Sequence, residues 1–219
     1  MELKGIKMGV LGDSITEGVG VTDSANIYYN RIQREFDMKD LYVDGISGTR
    51  IALQHKTSCD SPREDLNFLS RIDDIDEDCD LVVVFGGTND FGHGDAPLGE
   101  PTDRTAYTFW GACHVMCEKL INRFPQSQIV VMGPLHRHDE ENPCGEKKLE
   151  AIGSLYDYVD ILKVVTRKYA IPFLDMLEVS GIAPSVPIHK KLYMPDGLHP
   201  NDVGHALIAA KLKGFLKTL

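Results

Sequence analysis

Three short segments of this 219-residue chain carry the residue types of an acyl-transfer site: Gly12-Asp13-Ser14, Gly87-Thr88-Asn89-Asp90 and Asp196-Gly197-Leu198-His199. A serine hydroxyl is a weak nucleophile until a base within hydrogen-bond reach takes its proton. Histidine titrates near neutrality, so it can take that proton and return it to a leaving alcohol. Ser14 is therefore a candidate nucleophile and His199 its base. Asp196 lies close enough in the chain for one turn to bring its carboxylate beside His199, where it would fix the imidazole tautomer and stabilise the imidazolium. The oxyanion formed on attack needs preorganised donors, and three are available: the backbone N–H groups of Ser14 and Gly48 and the side-chain amide of Asn89. Glycine at position 48 lets the backbone approach a substrate closely. Taken singly, each fragment is ordinary turn or cap chemistry. Their joint placement in the fold is what gives them weight.

Apolar runs that read as buried strands alternate with stretches of helical apolar spacing, the pattern of a parallel sheet covered on both faces. The strands are placed at Ile6–Leu11, Leu41–Val43, Leu81–Phe85, Ile129–Met132 and Ile171–Leu174. Helical spacing runs over Ala25–Phe36, Thr102–Phe124, Glu146–Tyr169 and Pro200–Leu216. The expected fold is thus a three-layer α/β/α, flavodoxin-like domain with a five-stranded parallel sheet, one domain over residues 1–219. On this map Ser14 follows the first strand, Gly48 the second and Asn89 the third, while Asp196 and His199 precede the last helix. All five can converge on one edge of the sheet, and the carboxyl ends of strands are where ligands of open α/β sheets bind.

Local punctuation adds detail. Ser61-Pro62-Arg63-Glu64 combines an N-cap hydroxyl, a first-turn proline and a capping-box carboxylate, predicting a short helix to about Arg71. The acidic run 73–78 lacks the glycine and distal glutamate of a calcium loop and reads as a solvated connector. Two loops rich in Gly, Pro, His and acids, Phe91–Pro101 and Leu135–Gly145, leave strand ends and should border the site.

A formal charge of −10 argues against a nucleic-acid partner, which would need clustered Lys and Arg. The five cysteines include no C-x-x-C pair, so neither a disulfide framework nor a zinc knuckle is suggested. The first apolar segment is too short for a signal peptide and no run reaches membrane-spanning length, so a cytoplasmic protein without a membrane partner is expected. Oligomeric state is left open.

Competing chemistries lack their signatures. There is no Gly-x-Ser-x-Gly elbow, no Gly-Lys-Ser/Thr after a glycine loop and no Gly-x-Gly-x-x-Gly. Cys113 and Cys117, spaced with Trp110, Leu120, Ile121 and Phe124, read as a core stripe. His136 and His138, with Asp139 and Cys144 nearby, read as a solvated loop rather than a zinc site, and no metal or cofactor is called for.

The sequence resembles the SGNH superfamily of GDSL-type esterases and lipases over nearly its whole length. Residues 9–18, Gly-Val-Leu-Gly-Asp-Ser-Ile-Thr-Glu-Gly, are similar to the first family block. Gly45-Ile46-Ser47-Gly48 is similar to the second, Gly86-Gly87-Thr88-Asn89-Asp90 to the third, and Asp196-Gly197-Leu198-His199-Pro200 to the fifth. The resemblance implies the SGNH hydrolase fold, Ser14 as nucleophile, Gly48 and Asn89 as oxyanion donors, and His199 as base with Asp196. Where family members often carry Asn shortly before the second block, this chain has Val43 and Asp44, a departure that leaves the four named roles intact and bears on the local support of the oxyanion loop.

The strand-end loops and the segment 181–195 supply Phe91, His93, Leu135, His136, Arg137 and Tyr193 as candidate substrate contacts, with Arg50 beyond the oxyanion glycine. This polar set with a few aromatics favours a small acyl ester of a polar alcohol, such as an acetylated sugar, over a long-chain lipid. The resemblance also spans lysophospholipases and thioesterases. A non-catalytic acyl- or sugar-binding domain that keeps the fold is the alternative from another class.

Overall fold

The computed structural model describes residues 2–56 and 62–219. The elements are β1 (Lys7–Gly12), α1 (Ser14–Glu17), α2 (Tyr28–Phe36), β2 (Asp40–Gly45), α3 (Phe68–Arg71), β3 (Leu81–Phe85), α4 (Thr88–Gly92), α5 (Phe109–Arg123), β4 (Gln128–Met132), α6 (Leu155–Lys168), β5 (Phe173–Leu174), α7 (Met176–Val179), α8 (Pro187–Tyr193) and α9 (Asp202–Leu216). The five strands form one sheet in the order β2-β1-β3-β4-β5, every pair parallel.

Alternation along the strands builds the two faces, because successive side chains of a strand point to opposite sides. Val82 and Val84 pack with Phe68, Phe109, Cys113 and Leu162 in one core. Leu81, Val83 and Phe85 pack with Tyr28, Ile32, Ile208 and Leu212 in the other. All five residues of β3 are buried, which is why the segment reads as a continuous apolar run. Cys113 and Cys117 are fully buried in the first core, as their spacing suggested, whereas Ile121 of the same stripe turns toward solvent.

Several predicted elements begin later than the apolar spacing implies, each for a local reason. The run from Ala25 is a 3₁₀ turn over Ser24–Asn26, capped by Asp23; Ile27 is extended, and α2 starts only at Tyr28. Thr108 caps α5 by accepting from Gly111 N–H, so the stretch from Thr102 is loop. Ser154 and Asp157 close a capping box that starts α6, leaving 146–153 irregular. The helix expected to about Arg71 is split into a 3₁₀ turn, Pro62–Asp65, and α3, which Asn67 caps through Ser70 N–H. Ser61, the predicted cap, and Cys59 lie outside the described residues.

The order of the sheet matters for function. The chain leaves β1 outward to β2, then returns to place β3 on the other side of β1, so β1 and β3 flank the point where the winding reverses. Loops leaving two such strands diverge and open a crevice at their carboxyl ends. Among the described residues no helix is long and apolar enough to cross a membrane.

Candidate active site

Ser14 is the first residue of α1, directly after β1. Asp13 caps this helix, its carboxylate accepting from Ile15 N–H at 3.0 Å, and Gly18 ends it in the left-handed region at φ 94°. The turn is tight enough that a Cβ on Gly12 would lie 2.0 Å from Thr16 Oγ1. Burial pushes the Asp13 carboxyl up to about 6 against that hydrogen bond.

His199 Nε2 lies 3.1 Å from Ser14 Oγ, and its Nδ1 lies 2.7 Å from Asp196 Oδ2. The other oxygen of Asp196 accepts from the backbone N–H groups of Leu198 and His199 at 2.8 and 2.7 Å. Partial burial raises the Asp196 carboxyl, but these backbone hydrogen bonds and the imidazole outweigh it and hold it below the usual carboxylate range. The carboxylate that faces His199 is therefore ionised and fixed from two sides.

The Asp196–His199 loop is pinned by His138. Its backbone N–H and its ring Nδ1 both reach Gly197 carbonyl oxygen, at 2.9 and 3.0 Å, and its Nε2 is 3.1 Å from Glu146. Because a carbonyl only accepts, Nδ1 carries a hydrogen. Gly197 has φ 83°, and a Cβ there would press on the His138 ring at 3.1 Å. His138 thus supports the loop that bears the candidate base.

The Ser47–Gly48 turn forms the second wall. Glu17, at the end of α1, accepts from Ser47 N–H at 2.7 Å and from Ser47 Oγ, while Arg63 donates to its other oxygen at 2.7 Å. Arg71 donates to the carbonyls of Asp44 and Gly12 and to Thr49 Oγ1, and it pairs with the Asp44 carboxylate at 3.0 Å. Asp44 is in this way part of a brace beneath the loop. Asp90 completes the brace by accepting from Ile51 and Ala52 N–H, both at 2.9 Å; burial pushes its carboxyl up to about 6 against those bonds. None of Glu17, Arg71 and Asp90 was singled out from sequence, although Glu17 and Asp90 sit inside the first and third motifs.

Asn89 lies in α4, just after β3, with its amide nitrogen 3.1 Å from Thr49 carbonyl oxygen and its amide oxygen 3.3 Å from His93 Nε2. Ser14, Gly48, Asn89 and His199 meet at one cavity of about 650 Å³. Its remaining wall includes Val19, Ser47, Arg50, His93 and Leu198, together with two segments, Gln54–Lys56 and Glu146–Glu150 with Ile152. Glu146 and Lys147 are held there by their N–H groups, which donate to Gly92 carbonyl oxygen at 2.7 and 3.2 Å.

Of the expected substrate contacts, Arg50 and His93 line this cavity, whereas Phe91, Leu135, His136, Arg137 and Tyr193 do not. Phe91 is fully buried, its ring 5.3 Å beneath the Arg137 guanidinium carbon and 6.2 Å from the Tyr158 ring. Arg137 turns inward to donate to Thr88 carbonyl oxygen and Oγ1, both at 2.9 Å, and pairs with Glu146. Leu135 packs in the second core. His136 is bonded to Glu140 at 3.0 Å, and Tyr193 carbonyl oxygen accepts from Asn201 N–H at the start of α9. The 135–145 loop is drawn under α4 by these contacts, and the segment after it forms the wall instead.

Among the described residues no group of three or more His, Cys, Asp or Glu is placed to hold a metal ion. Four of the five acids of the 73–78 run pair with lysine and arginine: Asp73 with Lys119, Asp76 and Asp78 with Lys7, and Glu77 with Arg123.

Residues 10–207 match the family model described as the GDSL-like Lipase/Acylhydrolase family. No curated protein matches the chain. Among solved structures, a protein from Lactobacillus plantarum is similar with a TM-score of 0.84 and 28% identity, covering 98% of each chain. A carbohydrate acetylesterase family member from Sinorhizobium meliloti is similar with a TM-score of 0.63 and 17% identity, covering 97% of this chain and 98% of its own. A two-domain esterase active on acetylated mannans gives a TM-score of 0.62 and 19% identity, covering 99% of this chain and 50% of its own. At these last two identities the likeness is one of fold.

Proposed function

The chain belongs to the GDSL-like lipase/acylhydrolase family, and from that membership we propose that it is a serine esterase acting through a Ser14–His199–Asp196 triad and an acyl-enzyme. Its substrate in this reading is a small acyl ester of a polar alcohol, such as an O-acetylated sugar. The observation that carries the reading is the unbroken line from Ser14 Oγ through His199 to Asp196, at 3.1 and 2.7 Å.

In the first half-reaction Oγ adds to the ester carbonyl carbon while His199 Nε2 takes its proton. The carbonyl oxygen becomes the oxyanion, and Ser14 N–H, Gly48 N–H and the Asn89 amide are the donors assigned to it; each such donor is worth about 3–4 kcal/mol in the transition state. Collapse breaks the bond to the alcohol oxygen, and the imidazolium returns its proton to the departing alcohol. In the second half-reaction water adds to the acyl carbon as His199 takes a proton from it. The carboxylic acid leaves and Ser14 regains its hydrogen.

The cavity supports the preference for a short acyl group. Among the described residues, its apolar lining consists of Val19, Leu149, Ile152 and Leu198, set among Arg50, Lys56, Asp95, Lys147 and other polar side chains. A long acyl chain needs a continuous apolar groove. The carbohydrate esterases that share the fold point the same way by analogy. The test is kcat/KM across p-nitrophenyl acetate, butyrate, octanoate and palmitate and across an acetylated sugar. A fall with chain length is expected, and a higher value for palmitate than for acetate would overturn the substrate assignment.

A further inference from the structure

An asparagine amide has two ends of nearly the same shape, and only one of them stabilises an oxyanion. If the oxygen end faced the developing charge, its lone pairs would oppose the reaction. The orientation of Asn89 is therefore a functional property, and the structure contains a device that sets it. At one end, Thr49 carbonyl oxygen can only accept, so the group 3.1 Å from it must be the amide nitrogen. At the other end, His93 Nε2 lies 3.3 Å from the amide oxygen. That contact is attractive only if Nε2 carries a hydrogen.

The hydrogen is placed there by Arg50. Its NH1 lies 2.9 Å from His93 Nδ1, and a guanidinium can only donate, so Nδ1 must accept. A neutral imidazole has a single N–H, which is then on Nε2, facing Asn89. Arg50 is itself fixed, 4% exposed, with NH2 donating to Asp65 Oδ1 at 3.0 Å. Burial and then the positive charge of Arg50 push the His93 pKa down to about 4, which keeps the ring neutral. We propose that His93 is a positioning residue that orients the Asn89 amide toward the oxyanion, in a tautomer imposed by Arg50. The proposal rests on the reading above in which Asn89 is an oxyanion donor. It gives Arg50 and His93 a role different from direct substrate contact, since their facing polar groups are engaged with one another and with Asp65 and Asn89.

The test is a double-mutant cycle on p-nitrophenyl acetate with His93→Leu, Asn89→Ala and the combined variant, alongside His93→Gln and Ser14→Ala. Glutamine can accept from Arg50 through its oxygen and donate to Asn89 through its nitrogen. Misorienting one donor should lower kcat about 10- to 100-fold with KM within about two-fold of the parent. His93→Gln should recover kcat to within about five-fold of the parent on the same grounds. The combined variant should be no worse than Asn89→Ala alone, because His93 then has nothing left to orient. A His93→Leu loss that adds in full to that of Asn89→Ala, or a parental kcat in His93→Leu, overturns the proposal. If His93→Leu does not fold by thermal melt, His93→Phe fills the ring volume without the donor and carries the same cycle with the same outcomes. If Ser14→Ala keeps parental turnover, the esterase reading fails and the proposal with it. If Ser14→Ala and Asn89→Ala lose turnover while His93→Leu does not, only the role of His93 falls.

Discussion

Replacing Gly45 with alanine is expected to damage the site from below without touching any reacting group. Gly45 ends β2 and pairs in register with Gly12, and α1 lies directly against it. A Cβ at this position would sit 2.4 Å from Glu17 N, 2.6 Å from Thr16 C and 2.9 Å from Glu17 Cα. These are backbone atoms, so no side-chain rotation relieves the clash. Restoring ordinary contact at roughly 3.5 Å requires a displacement of about 1 Å between β2 and α1. That movement separates Ser14 on α1 from the Ser47–Gly48 turn that continues β2, and it strains the bond from Ser47 N–H to Glu17. Misplacement on this scale costs about 100-fold in rate, and overpacking of this kind costs about 1–3 kcal/mol of stability. For a chain of this size that corresponds to a melting point lower by roughly 2–12 °C. The assay is kcat/KM on p-nitrophenyl acetate at a temperature where the variant is folded, with a circular-dichroism melt. Gly214→Ala is the control: a Cβ there meets nothing within 4 Å, so activity should be unchanged and the helix slightly stabilised. Parental kcat/KM and melting point in Gly45→Ala would refute the packing argument.

Asp196→Asn keeps an oxygen for the two backbone donors but places an amide N–H against His199 Nδ1, so the ring is driven to the wrong tautomer; kcat should fall by about 10³–10⁴-fold with little change in melting point, and a loss under about 10-fold would remove Asp196 from the triad. Asp13→Asn retains the cap on Ile15 N–H but removes a buried acid whose folded pKa is about 6 against an ordinary 3.8. A raised folded pKa gives stability that is present below about 3.8 and lost as pH rises through about 6, so the parent should lose about 2 kcal/mol relative to Asp13→Asn between pH 4 and 7. Urea denaturation of both proteins at the two pH values measures this, and a pH-independent difference would show that Asp13 is not a desolvated carboxyl.

The layers of the fold, and the strand ends at which the candidate site gathers, are legible in the sequence because both depend on strong periodic or local signals. A fully buried strand such as Leu81–Phe85 is an apolar run whatever surrounds it, and a Gly-Asp-Ser turn after a strand places its serine at the strand end. Helix starts were less legible. Thr108 and Ser154 cap α5 and α6 well inside the apolar spacing, and a cap decides the first turn even where amphipathic residues continue upstream. The cavity wall was the least legible part. Phe91 and Arg137 occur in loops that leave strand ends, which is where contacts are expected, yet the pairing of Arg137 with Thr88 and Glu146 draws them into the interior. Partners 49 residues apart in the chain leave no local signal of that pairing. The same holds for the line from Asp65 through Arg50 and His93 to Asn89, whose members gain meaning only from which nitrogen faces which oxygen.

The most direct test of the central claim is covalent labelling by a fluorophosphonate, which reacts with a serine only when a base activates it and donors hold the phosphoryl oxygen. Intact mass and peptide mapping should find one adduct, on Ser14, lost in Ser14→Ala and formed far more slowly in His199→Ala. No adduct at any pH from about 6 to 9, where a histidine base is available, or an adduct that persists in Ser14→Ala, would contradict the assignment of Ser14 as the nucleophile.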